Sequence, residues 1–446
     1  MWKHVWRVAL LFLVLGAVAL WWLSRPTQAK YTTEQLSGVE PVIASPENRL
    51  IPNIVVPDIV GWSGDAAPTP AAGLAVQPFA AGLDHPRNLL VLPNGDVLVA
   101  ESAAPPKTEP GGLRDWVAGF LMDKATGGAT SANRVTLLRD TDGDGRADQR
   151  TALIATGLNS PFGLDYKAGT LFVANTDGLM AYPFTPGQTR VGAGARLMSL
   201  PAGSPNYHWT KDVVASDDGR TIWVSVASNS NIGENGYDAE SNRANILELD
   251  RTTGRVRVWT AGLRNPTHMA VDPRTGRLWV VVNERDELGS DLVPDYLAEA
   301  EFGANFGWPG YYWGGIDDVR VTTRNPALKG YIRRPDFALG AHTAPLGLAF
   351  ARDAALGARF ARGVFVARHG SWNRSPPAGY DVVFVPFNDR GFPVGKSVPV
   401  LGGFLTADGD ARGRPTGVAV EARGGLLVAD DAGNRIWRVT ARPPAR

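Results

Sequence analysis

The chain has six histidines, and one of them, His208, stands in the polar stretch "SPNYHWTKDVVASDDGRTIWVSV" (204–226), just before a β-type run. A neutral imidazole is a base near physiological pH, so a histidine on a loop can take a proton from a bound hydroxyl and pass it to solvent. Hydrogen-bonded to backbone, the same residue would be purely structural, and this segment alone leaves both readings open. A second group with chemical potential is "DTDGDGRAD" (140–148). Asp140, Asp142, Asp144 and Asp148 fall at positions 1, 3, 5 and 9 of this stretch, with glycines between them, which is the spacing of a wrapped Ca²⁺ loop. Position 12 is Thr151 rather than a bidentate glutamate, so a structural ion site and a plain Asp-Gly hairpin turn both fit.

What would position such residues is a repeat. From Gly82 onward a Pro- or Gly-containing turn, a strand, a glycine turn and a more apolar second strand recur six times, from "GLDHPRNLLVLPNGDVLVAES" to "GRPTGVAVEARGGLLVADDAGNRIWRVT". The second strands are expected to start near Val97, Leu171, Ile222, Leu278, Val364 and Leu426. Their unequal spacing fits a propeller whose blades carry loops of different length and argues against a solenoid. The expected fold class is all-β, a six-bladed β-propeller spanning 75–446. His208, Arg264 and Arg414 each lie just ahead of the first strand of a repeat, so a propeller gathers them at one end of its central channel.

Composition narrows the class. Fifty-one glycines and 33 prolines suit a turn-rich β architecture, and 45 basic against 44 acidic side chains give no global field for nucleic acid. Zero cysteines exclude disulfides, thiolate metal sites and covalent c-type haem. Lys3 and Arg7 precede an apolar run from Val8 to Leu23 that ends in Trp21 and Trp22. Residues 1–30 therefore read as a signal peptide or signal anchor, with 8–23 holding the chain to an inner membrane and the rest on the periplasmic or other extracytoplasmic side. The run is short for a span of ~20 residues. Residues 31–74, rich in proline, alanine and polar residues, read as a linker or an arm laid over the domain.

Five stretches resemble one family: the His208 segment, "GLRNPTHMAVDPRTGRLWVVVNERD", "FGWPGYYWGG", "HGSWNRSPPAGYDVVFVPF" and "GRPTGVAV". The chain is similar to the soluble quinoprotein glucose and sorbosone dehydrogenases, especially the sorbosone-dehydrogenase-like branch, from about Gly73 to the C-terminus. The resemblance implies a propeller that binds pyrroloquinoline quinone with Ca²⁺ beside it and oxidises an aldose or related sugar aldehyde. His208 would be the base, and Arg264 with Asn265 would meet the quinone edge, a guanidinium suiting an anionic tricarboxylate. Arg414, Arg412 and Arg374 would add cofactor-binding cations, Arg374 from the loop holding His369, Trp372 and Asn373. The lysine of the glucose branch has no clean match, and Lys211 is a weak substitute. The cofactor's Ca²⁺ would take carbonyls, or carboxylates, from the loop containing Glu284, Arg285 and Asp286, which reads equally well as a salt-bridged turn. Phe306–Gly315 would pack a blade or wall the cleft, and the loops 104–130 and 317–343 would set sugar preference. The implied partners are a sugar, an external electron acceptor and, through the N-terminus, a membrane. A Ca²⁺-dependent lactonase and a non-catalytic cell-surface propeller are the alternatives on the same architecture.

Overall fold

The computed structural model describes residues 2–442 apart from 48, 50, 107–123 and 125–127; most of the 104–130 loop thus lies outside the described residues. Six antiparallel sheets follow one another around an axis. Blade 1 is built of Pro86–Val91, Val97–Glu101, Arg134–Arg139 and Gln149–Ile154. Blade 2 comprises Gly163–Lys167, Thr170–Asn175, Gly178–Pro183 and Ala195–Ser199, and blade 3 Val213–Ala215, Thr221–Val226, Asn245–Asp250 and Val256–Ala261. Blade 4 has Asn265–Val271, Leu278–Asn283, Pro294–Glu299 and Phe337–Ala341; blade 5 has Pro345–Phe350, Gly363–Arg368, Asp381–Pro386 and Val398–Gly402. Blade 6 takes Pro415–Val420, Leu426–Asp430 and Arg435–Ala441 from the C-terminal end, and its outer strand, Leu74–Ala81, from the N-terminal side. The fold is a six-bladed β-propeller, and the second strands begin within one residue of the expected positions.

Each second strand is apolar on both faces because it packs on two neighbours. In Leu278–Asn283, the side chains of Leu278, Val280 and Val282 join the core shared with blade 3, and Trp279 and Val281 join the core shared with blade 5. Six such cores, one per blade interface, hold the ring. Near the axis the inner strands approach backbone to backbone. A Cβ at Gly347 would lie 2.1 Å from the Thr416 carbonyl oxygen, and one at Gly417 2.6 Å from that of Arg87, so only glycine fits there.

Two short pieces of the 31–74 segment, the arm, pair with the outer edges of the propeller. Ser37–Gly38 adds a fifth strand to blade 4 and Thr69–Pro70 one to blade 5. Trp62 donates its indole N–H to Asp430 at 2.6 Å and packs edge-on against Phe404 and Trp437. Ahead of the arm, Trp2–Ser24 is a 23-residue helix with Leu10, Leu11, Phe12 and Leu13 exposed. Among the described residues no helix is long and apolar enough to cross a membrane; the side chains of 2–4, 8, 9, 17 and 19–23 lie outside that description.

Candidate functional site at the propeller mouth

In a four-stranded blade the loop entering the first strand and the loop leaving the second open at the same end. That end carries His85 and Arg87 from blade 1, His208, Ser228 and Asn231 from blade 3, and Arg264, Asn283 and Asp286 from blade 4. Blade 5 adds His342, His369 and Asn373, and blade 6 Arg414 and Asp431. A chain of contacts joins them.

His208 Nδ1 lies 3.1 Å from the Ser228 carbonyl oxygen and 2.9 Å from its Oγ, and that hydroxyl donates to the Ser230 carbonyl at 2.7 Å. Both oxygens are therefore acceptors toward the ring. Nδ1 carries the hydrogen, and Nε2 keeps the lone pair that a base needs. Burial, then the charge of Arg264, holds the imidazole well below its usual pKa, so it stays neutral at physiological pH. The Ser228 N–H donates to the Arg264 carbonyl at 2.8 Å, which couples base and arginine through one residue. Lys211 is fully buried and donates to the carbonyls of His208 (3.4 Å) and Trp209 (3.3 Å). Burial and the nearby Arg243 push its ammonium down to about 7. Its place is under the histidine loop, as a brace.

Arg264 uses all five of its N–H groups. Nε donates to the Asn231 carbonyl (3.1 Å), Nη1 to the carbonyls of Glu284 (2.6 Å) and Asn283 (3.4 Å), and Nη2 to Asn231 Oδ1 (2.9 Å) and Asp286 (2.7 Å). In this arrangement it supplies positive charge rather than a free donor. Asn265 follows it, buried, with an unpartnered Oδ1; Asn283 and Asn373 have the same unpartnered amide oxygen. Asn373 Nδ2 donates to the other Asp286 oxygen at 2.7 Å.

Across the mouth, Asp431 receives Arg87 in a buried ion pair and lies 2.9 Å from His369 Nε2 and 3.3 Å from His85 Nε2. Burial works against its ionisation, but the His369, His85 and Arg87 neighbours outweigh it and hold the carboxyl well below the usual range. The two imidazoles are neutral, pushed down mainly by burial to about 3 at His369 and about 4 at His85. Arg87 also lies over the Trp209 ring at 5.8 Å, next to His208. Arg414 donates to the carbonyls of His369 (3.2 Å) and Gly370 (2.8 Å) and covers the Tyr380 ring. His208, Arg264 and Arg414 thus share one mouth. His85, Arg87, Asn231 and Asp431 were not expected from the sequence; an arginine at the start of a repeat's first strand was the available signal for Arg87.

Other expected residues sit elsewhere or serve other ends. Arg374 donates to the carbonyls of Tyr31 and Pro376 and pairs with Asp291 at 3.4 Å, which clamps the arm. Arg412 is half-exposed and tied down by its backbone N–H on Phe404. The expected calcium loop does not fit a cation. Arg285 is buried on Glu284, Asp318 and the carbonyls of Pro309 and Tyr311. Glu284 Oε2 accepts from Arg285, and the carbonyls of Glu284 and Asp286 accept from Arg264 and Arg320. Among the described residues, the acidic or histidine group close enough to hold a metal is Asp140, Asp142 and Asp148. It lies in the hairpin turn of blade 1 at the far end of the propeller, where Arg423 already pairs with Asp140, Thr141 hydrogen-bonds Asp148, and Asp144 Oδ1 accepts the Arg146 N–H. In the 306–315 stretch, Phe306, Tyr311, Tyr312 and Trp313 are buried, so it serves mainly to pack the blade.

A protein of Borreliella burgdorferi without an assigned activity is 26% identical over 297 residues, covering 64% of this chain and 77% of that protein. A pyrroloquinoline quinone-dependent pyranose dehydrogenase of Coprinopsis cinerea is 26% identical over 365 residues, covering 71% of this chain; the match spans 44% of that enzyme's length. The holo form of the Coprinopsis pyranose dehydrogenase quinone domain superposes with a TM-score of 0.66 at 20% identity, over 86% of this chain and 100% of that domain. The soluble aldose sugar dehydrogenase of Escherichia coli superposes at 0.55 and 16% identity, over 83% of this chain and 100% of that one. The family described as TrAA12-like matches residues 125–296 and 321–442, well over half of the sequence, so the chain belongs to the TrAA12-like family.

Proposed function

We propose that this chain is a pyrroloquinoline quinone-dependent dehydrogenase that oxidises the C1 hydroxyl of an aldose, or the hydrate of a related sugar aldehyde such as sorbosone. The observation that carries the reading is the His208 tautomer: Nδ1 tied to Ser228, Nε2 free, at a mouth shared with Arg264 and Arg414. The residues fit the cofactor. The guanidinium groups of Arg87, Arg264 and Arg414 gather at the mouth, positive charge suited to a carboxylated ring, and the buried Arg87 Nε–H is a donor without a partner. Quinone held here by Arg87, Arg264 and Arg414 would supply an electron-poor carbonyl as the hydride acceptor. His208 Nε2 takes the hydroxyl proton, and the fixed Ser228 contact keeps the ring aimed. Burial and then Arg264 keep that imidazole neutral, and Arg264 adds positive charge where negative charge develops. Arg87 and Arg414 supply cationic walls.

A metal-dependent lactonase would need carboxylate and amide side chains converging on one ion, whereas the carboxylates of this mouth, Asp286 and Asp431, are each paired with an arginine. The N-terminal helix, with its exposed leucines, would hold the domain on the extracytoplasmic face of a membrane, and the reduced cofactor would pass electrons to an external acceptor.

The test is purified chain loaded with the quinone, assayed over a panel of aldoses and sugar aldehydes with an artificial acceptor. Turnover is expected, and His208→Asn should lower kcat by roughly 10²–10⁴-fold while leaving cofactor affinity within a few-fold. Unchanged turnover in that variant would remove His208 from the chemistry.

A further inference from the structure

The loop 283–286 has two guanidinium groups on the oxygens that a cofactor-side cation would use. Arg264 covers the carbonyls of Asn283 and Glu284. Arg320 covers the Asp286 carbonyl at 3.1 Å through Nη1, while its Nε and Nη2 grip both oxygens of Asp318 at 2.9 and 2.7 Å. Asp318 is buried and also receives Arg285 at 3.2 Å, so Arg320 is held in plane from behind. A calcium ion needs six to eight oxygens at ~2.3–2.6 Å. Here three loop carbonyls are engaged by fixed cations, Glu284 Oε2 is engaged by Arg285, and both Asp286 carboxylate oxygens are engaged by Arg264 and Asn373.

We propose that this chain seats its quinone without a divalent cation beside it, and that Arg320, fixed by Asp318, is the positioning residue that shapes the 283–286 loop in the ion's place. The proposal rests on the dehydrogenase reading for its cofactor, but its first test does not. Trp308 donates its indole N–H to Asn231 at 3.0 Å, and Asn231 hydrogen-bonds the Asp286 N–H, so a lanthanide bound at the loop would be sensitised by that tryptophan. Terbium luminescence is titrated into the quinone-free full chain carrying Asp140→Asn and Asp142→Asn, which removes the distant acidic loop. No saturable micromolar signal is expected, and Arg320→Ala in that background should create one. A saturable micromolar signal with Arg320 present, abolished by Asp286→Asn, overturns the proposal.

The second test follows quinone binding by absorbance in chelator and in millimolar Ca²⁺. Wild type should differ by less than about twofold between them. Arg320→Ala should lose at least about tenfold in chelator and recover with Ca²⁺, whereas Arg320→Lys should keep most of the affinity and show no calcium response. A wild type that binds only with Ca²⁺ present overturns the proposal, as does an Arg320→Ala variant indistinguishable from wild type. Absence of quinone binding under both conditions sinks the dehydrogenase reading and leaves the terbium result to decide this one.

Discussion

Arg264 and His208 divide the work of the mouth, the first bringing charge without a spare N–H and the second a lone pair without charge. Because burial and Arg264 hold His208 well below 6.5, the acid limb of kcat/KM should fall clearly below pH 6.5. A limb at or above 6.5 would mean that another group titrates. A second prediction concerns Asp212, buried just ahead of the blade 3 inner strand, whose Oδ2 accepts the Met269 N–H at 2.7 Å. Burial raises its carboxyl to about 7. The folded state then holds a proton that the unfolded chain has already lost, so stability falls as pH rises from about 4 through 7. Asp212→Asn should match wild type at about pH 4 and exceed it at pH 8 by on the order of a few kcal/mol, measured by denaturant melts at both pH values. Equal gains at both would place the effect outside ionisation. At this scale legibility was uneven. His208, Arg264 and Arg414 could be found because each precedes a recognisable strand. Asp431 could not, since its meaning is its contact with Arg87, 344 residues away in sequence.

At the scale of elements, the second strands were legible because a segment buried on two faces must be a short apolar run between glycine turns, as in Leu278–Asn283. The arm was only half legible. Ser37–Gly38 and Thr69–Pro70 are two-residue strands, made by the open edges of blades 4 and 5 rather than by local propensity, so sequence pattern carries no trace of them. Two variants probe these devices. Gly347→Ala should destabilise by several kcal/mol, because its methyl would press on the Thr416 carbonyl; a stability within about 0.5 kcal/mol of wild type would show that the inner strands can part. Trp62→Phe should cost about 1–2 kcal/mol, since the ring contacts remain but buried Asp430 loses a donor at 2.6 Å. No loss on chemical denaturation would mean that the arm is a passenger.

The whole molecule is a ring shut by a strand borrowed from the other end of the chain, and Phe79 on that strand sits in the core between blades 6 and 1. Phe79→Ala is expected to cost about 3–5 kcal/mol, with all six blades melting together if the ring is one cooperative unit; an early, separate transition confined to blades 6 and 1 would refute that. The blade count was readable from the repeat, whereas the identity of the closing strand depended on a pairing between Val76 and Val439 that only topology reveals. That latch has a bearing on biogenesis. Leu74–Ala81 emerges ahead of the other blade strands and must wait for Arg435–Ala441, so while the intervening blades are being made the nascent polypeptide keeps an unmet β edge, and the circle can close only once that last strand has emerged.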